Sequence, residues 1–153
     1  MLSTLAHSLY SGDIYGPAVS VSWLGIILAV AAAMVIGSIW YGPLFGKRWM
    51  QLVKLSKKDV GNPVGPMLVM VVLAFVQVLI LAHFINYVGY FYPDYSELAT
   101  GVLTGLWAFV GFVVPVLVSN AVFAKGSMEL LKMNLGNQLV TLLAIGAILG
   151  TVN

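Results

Sequence analysis

Apolar positions in this chain fall into four long runs, residues 22–41, 67–87, 98–123 and 135–152, separated by short stretches that hold the charged residues. None of the four contains Asp, Glu, Lys or Arg. A bilayer core takes about 20 apolar residues in a helix, so each run is long enough to cross it. The runs are too long for barrel strands and show no strict alternation, so helix is the element they predict. The expected fold is all-α, a transmembrane four-helix bundle occupying residues 21–153. Residues 1–20 precede it. Leu2, Leu5 and Leu9 lie before the turn Ser11-Gly12-Asp13 there, which reads as an outer interfacial helix or a flexible segment.

The interruptions carry their own pattern. Gly42-Pro43 ends the first run. Residues 44–56 then read as a short amphipathic helix, with Phe45, Trp49 and Leu52 at i, i+4, i+7 and Lys47, Gln51, Lys54 and Lys58 on another face. Such a helix lies in the membrane interface, where its basic face attracts anionic headgroups. Lys47, Arg48, Trp49, Lys54 and Lys58 are the candidate lipid-headgroup residues. The competing reading makes the basic residues topology determinants alone. Asp94 and Glu97 have the spacing of a capping box at the start of the third run, with Asp in the Ser/Thr position.

Composition supports the membrane reading. Of 153 residues 61% are hydrophobic and 8% charged, against about 25% charged in a soluble domain. The mean hydropathy is +1.01. There is no Cys, which excludes disulfides, thiolate metal sites and Cys nucleophiles. A net charge of +2 gives no footprint for nucleic acid. No basic n-region precedes the first run, so it reads as a retained helix and not as a signal peptide.

The charges are sorted by loop. Lys47, Arg48, Lys54, Lys57 and Lys58 lie in the first loop and Lys125 and Lys132 around the third, and these are all the Lys and Arg of the chain. Short basic loops stay cytoplasmic. Both termini and the second loop, with Asp94 and Glu97, are therefore expected outside. Tyr87, Tyr90, Phe91, Tyr92 and Tyr95 mark the outer interface, and Trp40, Tyr41, Phe45 and Trp49 the inner one.

Helix association in lipid depends on close packing, because lipid supplies no hydrophobic drive between helices. The first run offers the small residues Gly25, Ala29, Ala33 and Gly37, the third Gly101, Gly105 and Gly111, and the fourth Gly146 and Gly150. These faces serve the bundle, an oligomer seam, or both. Pro115 should kink the third helix and free a carbonyl one turn back.

Polar residues within the runs are the candidate site. Gln77 lies mid-helix, where an amide is costly. Asn120, Asn134, Asn137, Gln138 and Thr141 gather toward the cytoplasmic half of helices three and four, and Asn134, Gln138 and Thr141 share one face of helix four. Gln77, Asn120, Asn134, Gln138 and Thr141 either line a pocket or pore, or bond between helices at about 0.6 kcal/mol per contact. His83, near the outer end of helix two, is a weak metal candidate beside Asn86 and Tyr87. His7, Asp13, Asp94 and Glu97 are on the same side, but no pair has ligand spacing within one element. No cofactor and no catalytic constellation is expected.

The stretch Gly37-Ser38-Ile39-Trp40-Tyr41-Gly42-Pro43-Leu44-Phe45-Gly46-Lys47-Arg48-Trp49-Met50 resembles the signature of a family of small membrane proteins, domain-of-unknown-function family 1761. Residues 105–120, with Gly111-Phe112 and Pro115, and residues 134–150 resemble it more weakly. The resemblance covers about residues 20–152. It implies a four-helix integral membrane protein, mostly bacterial, and supplies no activity.

Three classes of function remain open. A passive channel or small-solute transporter would use the polar face of helix four, the Pro115 kink and more than one subunit, since four short helices rarely enclose a path alone. The absence of intramembrane charge disfavours proton coupling. A structural or accessory protein would scaffold a complex or organise lipid. An enzyme would need an acid–base pair that no motif supplies. The expectation is a homo-oligomeric, multi-pass protein of the bacterial cytoplasmic membrane.

Overall fold

The computed structural model describes residues 20–55 and 61–152. Residues 1–19, with the expected outer segment, His7 and Asp13, lie outside this range, as do Lys57 and Lys58. Six α-helices follow in order: α1 (Trp23–Ile39), α2 (Gly46–Leu52), α3 (Val64–Phe91), α4 (Glu97–Ala108), α5 (Val114–Phe123) and α6 (Met128–Val152). Among the described residues there is no strand. A π-helical turn, Trp40–Leu44, extends α1, and a second, Phe109–Val113, joins α4 to α5. The result is four apolar helices long enough to cross a bilayer: Trp23–Leu44, Val64–Phe91, Glu97–Phe123 and Met128–Val152. The end that carries Lys47, Arg48, Lys125 and Lys132 is called the basic end below.

Helix starts are set by short polar side chains. Ser22 Oγ accepts from the Gly25 amide at 3.2 Å, and Ser96 Oγ from the Ala99 amide at 3.3 Å. Ser127 Oγ receives the Leu130 amide at 3.4 Å, and Asn62 Oδ1 the Val64 amide at 3.0 Å. Each satisfies an amide that the first turn leaves without an intrahelical partner. The expected Asp94–Glu97 box is therefore corrected. Ser96 is the N-cap, and Glu97 is the first helical residue, where its charge complements the helix dipole.

Pro43 and Pro115 are each associated with a π-helical turn. Pro115 has no N–H to give the carbonyl of Gly111, and the π-helical turn Phe109–Val113 takes up the mismatch. Pro43 lies inside the other π-helical turn, so α1 runs on past Gly42 and the chain bends only at Phe45. Both helices that end toward the third and first loops close with a Lys in the left-handed region, Lys54 at φ 57° and Lys125 at φ 50°. In each case an amide one residue on reaches back five positions, Leu55 to Met50 and Gly126 to Ala121, both at 2.9 Å. This is the Schellman arrangement, with Lys where Gly is usual.

The spans run up, down, up and down, and each packs beside its sequence neighbours, with α6 closing against α1. The tightest pair is α4 with α6. The core holds Ile26, Ala29, Val78, Leu81, Ala82, Ile85, Phe109, Leu142, Ile145 and Leu149. Thr100, Thr104, Asn137 and Thr141 are buried with them. Large apolar residues point outward, including Trp23, Trp107, Phe112 and Phe123. Glycines and polar groups lie between the helices beside this apolar core, and the outward surface is apolar, which suits lipid because close backbone contacts and hydrogen bonds are kept between helices. An apolar surface of this extent would not stay monomeric in water.

The halves of the bundle differ. All the fully buried large side chains (Ile26, Val78, Ile145 and Leu149) lie away from the basic end. Toward the basic end, residues 64–73 of α3 are exposed at every position.

Candidate functional site: a polar cleft in the basic half

Where α3 separates from α1 and α6, an open cleft of about 530 Å³ remains. Its walls are Ala33, Met34, Gly37, Ser38 and Tyr41 from α1 and the following turn, Met67, Met70, Leu73, Ala74 and Gln77 from α3, and Asn137, Gln138 and Thr141 from α6. That volume is within the usual range for a small-molecule site. Among the described residues no Asp, Glu, Lys, Arg or His contributes to the walls.

Gly37 helps to open it. A Cβ built at Gly37 would meet nothing within 4 Å, whereas one at Gly25 would meet Leu149 at 3.6 Å. The small-residue stripe of α1 therefore divides. Gly25 and Ala29 are buried against the bundle, Ala33 is half-buried, and Gly37 faces space.

The polar lining stands apart in its hydrogen bonding. Among the described residues five polar side chains in the helices bond the carbonyl four residues back, while Thr100 and Asn120 do not. Ser38 bonds Met34 at 2.7 Å, His83 Nδ1 donates to Leu79 at 2.7 Å, Asn86 bonds Ala82 at 2.9 Å, Thr104 bonds Thr100 at 2.7 Å and Thr151 bonds Ala147 at 2.9 Å. Gln77, Asn137, Gln138 and Thr141 make no such bond and none between helices. Asn137 is 6% exposed, and its Nδ2 is buried without an acceptor. A buried donor left unpaired costs about 1–3 kcal/mol.

One rim of the cleft is fastened. Trp40 Nε1 donates to the Met133 carbonyl at 3.2 Å, and Tyr41 donates through its hydroxyl to Asn134 Oδ1 at 2.9 Å. The Trp40 ring lies over Gly136, where an added Cβ would stand 2.9 Å from it. Tyr41 meets Trp49 of α2 edge-on, with centroids 5.9 Å apart. Farther out, Arg48 forms a bidentate pair with Glu129, Nε to Oε1 at 2.5 Å and Nη2 to Oε2. The hydrogen bond to Glu129, and then its charge, holds the Arg48 pKa above its ordinary value. These contacts clamp the turn after α1 and helix α2 onto the first two turns of α6.

The residues singled out by sequence scatter accordingly. Gln77, Gln138 and Thr141 meet in the cleft. Asn134 is on the clamp, bonded to Tyr41. Asn120 lies on α5, exposed, and is not part of the cleft. Gly146 and Gly150 pack on α4. Among the headgroup candidates Arg48 is engaged by Glu129, Trp49 packs on Tyr41, and Lys47 and Lys54 are exposed. His83 is bound to its own helix, and among the described residues no three His, Cys, Asp or Glu come together. Asn137 and Glu129 carry most in the structure and drew least notice in the sequence. Asn137 was legible only as one of several amides, and the long-range pairing of Glu129 left no local signal.

No curated protein and no solved structure matches the chain. Over residues 24–150 it matches the model of one protein family, so that the four helices and the cleft are described for a member of the family "Protein of unknown function (DUF1761)".

Proposed function

We propose that this protein binds an uncharged solute in the basic-half cleft and passes it as a small transporter. It would stand in the bacterial cytoplasmic membrane with its basic end inside. The observation that carries the reading is the set of four polar side chains without partners, Gln77, Asn137, Gln138 and Thr141, around one open cleft. A bundle built only for stability would pair a buried amide such as Asn137, as it pairs Thr104 and His83 with carbonyls of their own helices. The lack of charge in the walls supports an uncharged solute. The sorting of Lys and Arg supports the orientation.

Passage needs a route around the closed far half, and self-association supplies it. The unpaired stretch of α3, residues 64–73, is the natural contact for a second copy. The same exposed stretch supports a second reading, an accessory protein that docks a partner helix there. Vesicles reconstituted with the full chain test the first reading by uptake of glycerol, urea and the less polar carbonyl compound N,N-dimethylacetamide beside sodium and chloride. The expected result is uptake of an uncharged solute without ion flux, slowed at least threefold by Gly37→Leu, which fills the cleft. No flux of any solute rejects transport and leaves the accessory role. The oligomeric state in lipid discs separates the two readings further, since the transport reading requires more than one copy.

A further inference from the structure

From the depth and chemistry of the cleft we infer its ligand class: an uncharged, largely apolar molecule with a carbonyl-type acceptor, received from within the bilayer. The inference rests on the proposal that the cleft binds a solute, and narrows it.

Depth comes first. Gln77 stands thirteen residues from the start of α3 at Val64, and Thr141 thirteen from the start of α6 at Met128. At about 1.5 Å per residue both are about 20 Å along their helices. Asn137, nine residues in, is about 14 Å along. The hydrocarbon core is about 30 Å thick, and Lys132 marks its basic-side edge on α6, so Asn137 is about 8 Å inside it and Gln77 and Thr141 are nearer its middle. The ester carbonyls of a phospholipid stay at the edge of the core, about 15 Å from the middle. A free apolar molecule reaches Asn137, whereas the ester carbonyls of a resting glycerolipid lie about 8 Å short of it.

Chemistry comes second. The group left unsatisfied is a donor, Asn137 Nδ2, buried beside the cleft. The terminal torsion of Asn is soft, so the amide can turn toward the cleft without movement of α6. The donor requires an acceptor, and the described wall residues offer no charge to pair with an ionised one, so the acceptor is neutral. The rest of the lining, Met34, Met67, Met70 and Leu73, is apolar. Methionine adapts to ligands of varied shape. In a single copy no described residue covers the gap between α1 and α3 beside Gly37, so a molecule can enter from the side before a second copy packs on residues 64–73.

The chain has no Cys, so one introduced thiol is unique. Gly37→Cys places it on the cleft wall, at a position with room for the side chain. The variant, in phosphatidylcholine discs, is labelled with N-ethylmaleimide in the presence of 2-tridecanone or n-tridecane. The two differ only in the acceptor. The ketone should protect the thiol at about fivefold lower concentration, the worth of one net hydrogen bond. Asn137→Leu in the same background should bring the two to equal potency. If both protect equally in the presence of Asn137, the cleft binds apolar molecules and the acceptor class is wrong. If neither slows labelling of a reactive thiol, solute binding in the cleft fails too. An infrared measurement needs no Asn137 variant: carbonyl-labelled ketone should show a saturable band at lower frequency than in protein-free discs, and an unshifted band overturns the inference.

Discussion

Helix α6 takes part in two regions built on opposite principles. Toward its C-terminal end it packs on α4 through glycine. A Cβ on Gly101 would fall on the Gly146 carbonyl, one on Gly146 on the Gly101 carbonyl, and one on Gly150 on the Glu97 carbonyl. At Gly105 the nearest atom would be the Leu142 carbonyl at 2.5 Å. Two or three turns earlier the same helix faces the cleft, where Gly37 across from it has nothing within 4 Å and the amides are unpaired. The seam has no room for a methyl group, and the cleft has room for a ligand. Stability in lipid comes from regions of the first kind, because van der Waals contact and backbone approach are what hold helices together there. The second kind is retained at a cost, and that cost is the argument for function.

The sharpest way to break this contrast is to add one methyl group to each region. Gly146→Ala should cost about 3 kcal/mol, since the obstructing atom is backbone and has little freedom to move. Gly37→Ala should stay within about 0.5 kcal/mol of the parent or gain slightly from helix propensity. Unfolding by sodium dodecyl sulfate in mixed micelles measures both, and equal costs would erase the distinction.

Asn137→Leu tests the cleft by sign. Replacing an unpaired buried donor with an apolar group of similar size should stabilise the bundle by about 1 kcal/mol. A loss of stability in the same unfolding assay would mean that Asn137 has a structural partner.

The smallest expected effect concerns the clamp. Tyr41→Phe removes the hydroxyl bond to Asn134 and should cost about 0.6 kcal/mol. It should also change the fluorescence of Trp49, whose ring meets Tyr41 edge-on. An unchanged spectrum and stability would show the clamp to be loose.

How much of this was readable in the chain varies by region. Gly101, Gly105, Gly146 and Gly150 were visible as small residues on two helices, but nothing local said that these two faces would meet. The stripe on α1 looked uniform and is not. Gly25 and Ala29 are packed, whereas Gly37 is open, because α3 diverges from α1 toward the basic end. Asn120 and Asn134 read alike with Gln138 and Thr141, yet the structure sends them to the α5 surface and to the clamp. Ser96 displaced the expected Asp94 cap because its hydroxyl, one residue before the helix, reaches the Ala99 amide.

The sequence by itself determined the solvent and the secondary structure. Four charge-free apolar runs of bilayer length admit only membrane-spanning helices, since each backbone group must find its partner within its own segment. Sequence also determined which polar residues would be buried in lipid. Tertiary structure alone decided which of them found partners. Pairing across helices depends on azimuth and on crossing geometry, and both are set by where backbones can approach most closely. The glycine seam closes α4 on α6 at one end, while at the other α3 stands off from α1 and α6, and the cleft with its unpaired amides lies there.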